Sequence, residues 1–193
     1  YSASVSAYNT SFPFLPAGKK EGDQITEEDA PFMSEEGIPY AQAKFIANQA
    51  VNKFIGEHPN LSFEITSVSP TGVMGKSLSN RQDSTSTGIQ FLFKNKIAPN
   101  PFIQMIYDVD VLWALVDVED VADAIFKAAT TKNIHGKNYL LSGESYRVSD
   151  VTLMLNNQPP VGKPEIVYSS ALATKDLGIA FKPVSIPLNN YSN

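Results

Sequence analysis

The stretch GIPYAQAKFIANQAVNKFIGEHPNLSFEITSVSPTGVMG, residues 37–75, decides the fold. Pro39 suits the first turn of a helix, because it lacks only an amide hydrogen that the first turn leaves unused. From there to about Ile55, Ala43, Ala47, Ala50, Val51, Phe54 and Ile55 recur at helical spacing and predict one apolar stripe facing a core. Gly56 and His58-Pro59-Asn60 stop the helix. LSFEITSVSP, residues 61–70, then alternates as a strand does and ends at Pro70. A helix followed by a strand, with the loop PTGVMG at the strand's carboxyl end, is the rhythm of an α/β sheet.

Working outward, YSASVSAY (1–8) reads as a strand end running into a loop, and 9–36 as a long surface loop punctuated by Pro13, Pro16, Gly18, Gly22 and Pro31. Residues 76–110 are irregular and predict a small, mostly helical lobe or lid. LWALVDV (112–118) and KNYLLSG (137–143) read as strands flanking the helix VEDVADAIFKAAT (118–130), whose first-turn acids suit the helix dipole. Asp117 and Asp120 are read as structural residues at that helix start. Ser149 is expected to cap a short helix reaching Leu155, and PEIVYSS to form a last strand. The expected division is 1–75 for the sheet portion with the site, 76–110 for the lobe, 111–143 for a return to the sheet and 144–193 for a second lobe segment.

Composition excludes several classes. With 42% apolar and 18% charged residues the 193-residue chain suits a soluble globular protein, and a net charge of -5 disfavours a nucleic-acid or anionic-membrane surface. There is no cysteine, so no disulfide framework or thiolate metal site is drawn, which fits a cytoplasmic setting. No metal site is expected, and His58 and His135 are given no catalytic role. The longest apolar run, VLWALV, is too short to span a bilayer. A first residue other than Met suggests that Tyr1 is not the natural start.

The chemistry is concentrated at Tyr40 and Lys44. Four residues apart, they stand one above the other on the helix, in line with Ala47 and Val51, so the pair is expected to face inward at the edge of the buried stripe. A phenol titrates near 10 and is a poor acid or base at neutral pH. An adjacent ammonium favours the phenolate and so makes the oxygen able to exchange a proton with a carbonyl or alcohol. The bland reading is a half-buried tyrosine beside a lysine whose stem covers apolar surface.

In their order, YSASVSAY, ITEEDAP, the Tyr-x-x-x-Lys helix, EITSVSPTGVMG and WALVDVEDVADAIFKAA resemble the extended short-chain dehydrogenase/reductase superfamily, its NAD-dependent epimerase/dehydratase and dihydroflavonol-reductase-like branch. The resemblance implies the carboxyl-terminal part of a Rossmann-type doubly wound parallel sheet with a small helical substrate lobe. It makes Ser4 the hydroxyl that holds the substrate oxygen, with Ser2 and Ser6 as alternative registers, and Tyr40 the acid/base. Lys44 would assist the phenol and bind the nicotinamide ribose of NAD or NADP. Pro70, Thr71, Gly72 and Val73 would hold the carboxamide, Gly72 by letting backbone approach the cofactor. Ser4 as a plain strand-end hydroxyl and Pro70 as a plain strand stop stay open.

None of the eleven glycines forms the glycine-rich diphosphate turn of that superfamily. The resemblance therefore places the chain after four absent β–α units of roughly 30 residues each, leaving a raw sheet edge. It implies a reductase or dehydrogenase of a small carbonyl or alcohol substrate. Met74, Lys76, Arg81, Phe91, Phe93 and Trp113 are the expected lining. The alternatives are a nucleotide-sugar epimerase/dehydratase, disfavoured by only two arginines, and a non-catalytic cofactor-sensing protein or fragment. A homodimer, or a partner supplying the missing segment, is the expected assembly.

Overall fold

The computed structural model describes residues 1–78 and 84–191. Two small sheets lie side by side, with helices against them. In the first, β1 (Ser67–Pro70) pairs in parallel with β4 (Asn138–Leu141), Ser67 opposite Asn138 and Pro70 opposite Leu141. The amino-terminal residues join its other edge: Ala3 donates to the Val68 carbonyl at 2.8 Å, and Val68 donates to the Tyr1 carbonyl at 3.0 Å. In the second, β2 (Gly72–Met74) runs parallel to β3 (Leu112–Asp117), and β3 pairs antiparallel with β5 (Ser145–Arg147). Thr71 N–H to the Leu141 carbonyl (3.0 Å) and Gly143 N–H to the Leu115 carbonyl (2.7 Å) tie the two together.

The expected strand 61–70 pairs only from Ser67. Residues 64–66 are held instead by a tight loop: Glu64 accepts from Asn133 and Ile134 N–H, and Ile65 N–H donates to His135 Nδ1 at 3.1 Å. Side-chain acceptors here replace a ladder. The expected strand at 164–170 also reduces to single bridges, Glu165 to Ser145 and Tyr168 to Ile25, because it changes partner within four residues.

The helix α1 (Pro39–Glu57) begins at Pro39 as expected, but its covered side is a different one. Within α1 only Ala41 and Asn48 are buried, while Ala43, Ala50 and Phe54 face out. The reason is its neighbour. Its main packing partner is the short 3-10 turn Val5–Ala7 rather than a sheet layer, so one narrow row is covered. By contrast α4 (Val118–Thr130) buries Val121, Ala124 and Ala128 against β1, β2, β3 and α6 (Ala171–Leu177). Asp117 caps it by accepting from Glu119 N–H at 2.9 Å, and Asp120 accepts from Lys182 N–H, so both acids are structural as expected.

The region 84–110 is helical: α2 (Thr85–Asn95) and α3 (Pro101–Val109), the latter capped by Asn100. The short helix α5 (Val148–Leu155) starts one residue before Ser149, which is therefore no cap. Ser149 instead gives both its N–H and its hydroxyl to Asp110, a carboxylate reaching in from the end of α3. These helices and α7 (Ser185–Asn189) enclose Trp113, Phe93, Ile106 and Met154. Among the described residues no helix is long and apolar enough to cross a membrane, and no cluster of His, Asp or Glu fits a metal ion.

Candidate active site

Tyr40 and Lys44 lie in the first turns of α1, and the 3-10 turn that follows residues 1–3 packs against both α1 and β1. Lys44 Nζ stands 6.0 Å from the centre of the Tyr40 ring and donates to the Ser2 carbonyl at 3.4 Å. The lysine thus joins the tyrosine helix to the serine segment. Tyr40 is 59% exposed, so its side chain lies at the surface rather than in a sealed core. The pair is not inward-facing in the sense of the expected stripe; it sits at the margin between the covered and open sides of the helix.

Ser4 has extended backbone and caps the 3-10 turn, its Oγ accepting from Ser6 N–H at 3.3 Å. That job does not consume the hydroxyl proton. No hydrogen bond links Ser4 and Tyr40 among the described residues. Ser6 is buried, whereas Ser2 is exposed and is the member of the trio that Lys44 touches.

Pro70, Thr71, Gly72 and Val73 connect the two sheets. Thr71 gives both N–H and hydroxyl to the Leu141 carbonyl, and the Val73 carbonyl accepts from Ser86 Oγ at 2.5 Å. The Thr71 N–H and the Val73 carbonyl thus each have a partner within the chain. Gly72 is also explained from within: a Cβ there would stand 2.5 Å from Trp113 Nε1 and 3.0 Å from the Ala114 carbonyl. The indole alone is sufficient reason for glycine here. Gly75 is held at both N–H and C=O by the buried side chain of Gln90.

With this arrangement on hand the matches to known proteins acquire meaning. A family model for the NAD dependent epimerase/dehydratase family matches residues 11–142, more than half of the chain. The chain belongs to that family. The match covers Tyr40, Lys44 and residues 70–73 but not Ser4. No curated protein matches the sequence. Among solved structures, the yeast methylglyoxal/isovaleraldehyde reductase Gre2 with NADPH superposes with a TM-score of 0.70 at 21% identity, over 98% of this chain and 60% of the other. Gre2 from Candida albicans in complex with NADPH gives 0.72 at 19%, over 98% and 61%. UDP-glucuronic acid 4-epimerase from Bacillus cereus in complex with NAD gives 0.61 at 17%, over 98% and 56%. The chain thus spans about three-fifths of the length of these structures, and the likeness is one of fold.

Within this family member the expected lining divides. Met74, Phe93 and Trp113 are core: Phe93 and Phe12 approach the Trp113 ring edge-on at 5.1 and 5.4 Å. Their bulk fills the space between β3 and the lobe helices. Phe91 is partly exposed, and Arg81 lies outside the described residues. Lys76 does line a cavity of about 820 Å³, together with Val73, Ser86, Thr87 and Asp117, but Ser4, Tyr40 and Lys44 do not. Arg147 is paired with Glu21 and donates to the Asp110 carbonyl at 3.2 Å.

The acidic stretch ITEEDAP proves to be a fastening. Asp29 accepts from Thr26 N–H and from Lys19, whose hydrogen bond holds its carboxyl below the usual range. Glu27 accepts from Leu140 N–H at 2.7 Å, closing the free edge of β4 in place of another strand, and burial pushes its carboxyl upward. Burial, with Glu27 nearby, also pushes the Tyr8 phenol up. Glu27, Gln90 and Asn48 were missed by sequence reasoning. A lone Glu in an acidic run, or a polar residue inside a helix, carries no signal until its neighbours are known.

Proposed function

We propose that this chain carries the proton-handling part of an NAD(P)-dependent reductase or dehydrogenase acting on a small carbonyl or alcohol. The observation that carries it is the placement of Lys44 between the Tyr40 ring and the Ser2 carbonyl. The lysine ties the tyrosine helix to the serine segment, and the exposed Tyr40 side chain is open to a substrate. Tyr40 would give or take the proton at that oxygen, and a hydroxyl of the 2–4 segment, Ser4 by the sequence register, would hold it. Lys44 retains donors for a ribose hydroxyl. When bound, the nicotinamide supplies the hydride. Its diphosphate has no matching glycine turn among these residues, so a further segment or subunit would complete the cofactor site.

The neighbours reported with NADPH and NAD leave both cofactors in the proposal, and the aldehydes named for the yeast enzyme supply the test substrates. Epimerase chemistry on a nucleotide sugar is the weaker reading, because Arg147 is already paired. We further propose that the outward residues Ile46 and Phe54 of α1 meet a second copy; light scattering after gel filtration checks this, and a monomer at all concentrations refutes it.

The test is titration with NADH and NADPH while exciting Trp113, the single tryptophan. Although it is buried, its emission transfers through space to a reduced nicotinamide. Saturable quenching, lost in Lys44→Met, is expected. Unchanged emission with both cofactors in the protein completed by its diphosphate-binding segment refutes the proposal.

A further inference from the structure

The covered row of α1 is unusually polar. Ala41, Lys44 and Asn48 follow one another at helical spacing, and Asn48 is 2% exposed. Its Oδ1 is buried without a hydrogen-bond partner. An orphaned buried carbonyl of this kind is costly and calls for a functional or structural account. One turn toward the amino terminus stands Lys44, whose ammonium has three donors and one long contact, 3.4 Å to the Ser2 carbonyl. Residues four apart on a helix have Cβ atoms roughly 5–6 Å apart, within reach of a lysine stem that turns back along the axis.

We propose that Asn48 is a positioning residue, its amide oxygen the second acceptor for the Lys44 ammonium. Held between the Ser2 carbonyl and Asn48, the cation stays beneath the phenol ring instead of swinging into solvent. The inference rests on the Tyr40–Lys44 reading of the site. It concerns only this chain's residues, so it is tested without cofactor.

The experiment is a thermal double-mutant cycle of wild type, Lys44→Met, Asn48→Asp and the double variant. If the two side chains meet, Asp at 48 finds its counter-charge. Asn48→Asp then lowers the melting temperature by less than about 3 °C alone and by roughly 8 °C or more in the Lys44→Met background. Equal shifts in both backgrounds overturn the proposal.

Should the double variant fail to fold, acylation of lysine amines read by peptide mass spectrometry decides. Relative to the other lysines, Lys44 should react about threefold more slowly in Asn48→Asp and about threefold faster in Asn48→Ala, since a bound ammonium yields its proton reluctantly. Unchanged Lys44 reactivity in both overturns it. A positive cycle with no cofactor quenching would leave Asn48 as Lys44's anchor and fault the oxidoreductase reading alone.

Discussion

Helices α1 and α4 read alike in sequence and behave oppositely in the fold. Both repeat apolar residues every three or four positions. In α4 that repeat faces β1, β2, β3 and α6, and its acids sit at the amino-terminal turn. In α1 Ala43, Ala50 and Phe54 face outward, while Lys44 and Asn48 occupy the covered row. Periodicity tells which residues share a face; it does not tell which face is covered. What covers it is a matter of tertiary neighbours, and α1 has chiefly a three-residue turn. A polar row under a turn is a poor source of stability, and it is where this chain keeps its candidate chemistry.

The comparison is broken most severely by placing one substitution on both helices. Ala124→Asp puts a carboxylate into a fully enclosed position and should cost about 3–5 kcal/mol in urea unfolding. Ala43→Asp, on the exposed side of α1, should cost under about 0.5 kcal/mol. Equal losses would mean that α1 is covered in solution, and dimerisation would be the first explanation to examine.

A smaller effect is expected at Gly72, where the new methyl meets the Trp113 indole. Gly72→Ala should cost roughly 1–3 kcal/mol and shift Trp113 emission, because backbone on the far side leaves little room to yield. An unperturbed spectrum would return Gly72 to the cofactor-approach explanation.

The smallest effect belongs to Glu27. Its carboxyl titrates above its ordinary value of 4.5 in the folded protein, chiefly through burial. The folded state therefore binds that proton more tightly than the unfolded one, and the contribution favours folding at low pH and is lost as pH rises through the raised value. Glu27→Gln keeps an acceptor for Leu140 N–H and removes the buried charge. Its melting temperature should exceed that of wild type at pH 7, with the gain shrinking as pH falls toward 4.5. A loss at pH 7 would show that the charge itself strengthens the Leu140 contact.

Much of the architecture was legible. Pro39, the alternation ending at Pro70 and the acids at 117–120 each state a local backbone preference, and the corresponding elements stand where those preferences put them. Residues 61–66 and 164–170 were not, because β-rich composition there is overruled by side-chain acceptors and by a change of partner. At the site, the Tyr40–Lys44 spacing was visible as a helical pair. The bond from Lys44 to Ser2, the engagement of Thr71 and Val73, and the burial of Asn48 depend on contacts between residues far apart in sequence. Met74, Phe93 and Trp113 look the same in sequence whether they line a pocket or fill a core.

The central claim is that Tyr40, supported by Lys44, moves a proton at a substrate oxygen while a nicotinamide exchanges hydride. It is met most directly by following NADPH and NADH absorbance with methylglyoxal or isovaleraldehyde, comparing wild type with Tyr40→Phe. For the protein completed by its diphosphate-binding segment, the account predicts turnover by wild type and a fall of about 10²–10⁴-fold in kcat for the variant, with cofactor quenching of Trp113 retained. Equal rates in the two proteins, or none in wild type with cofactor bound, would contradict it.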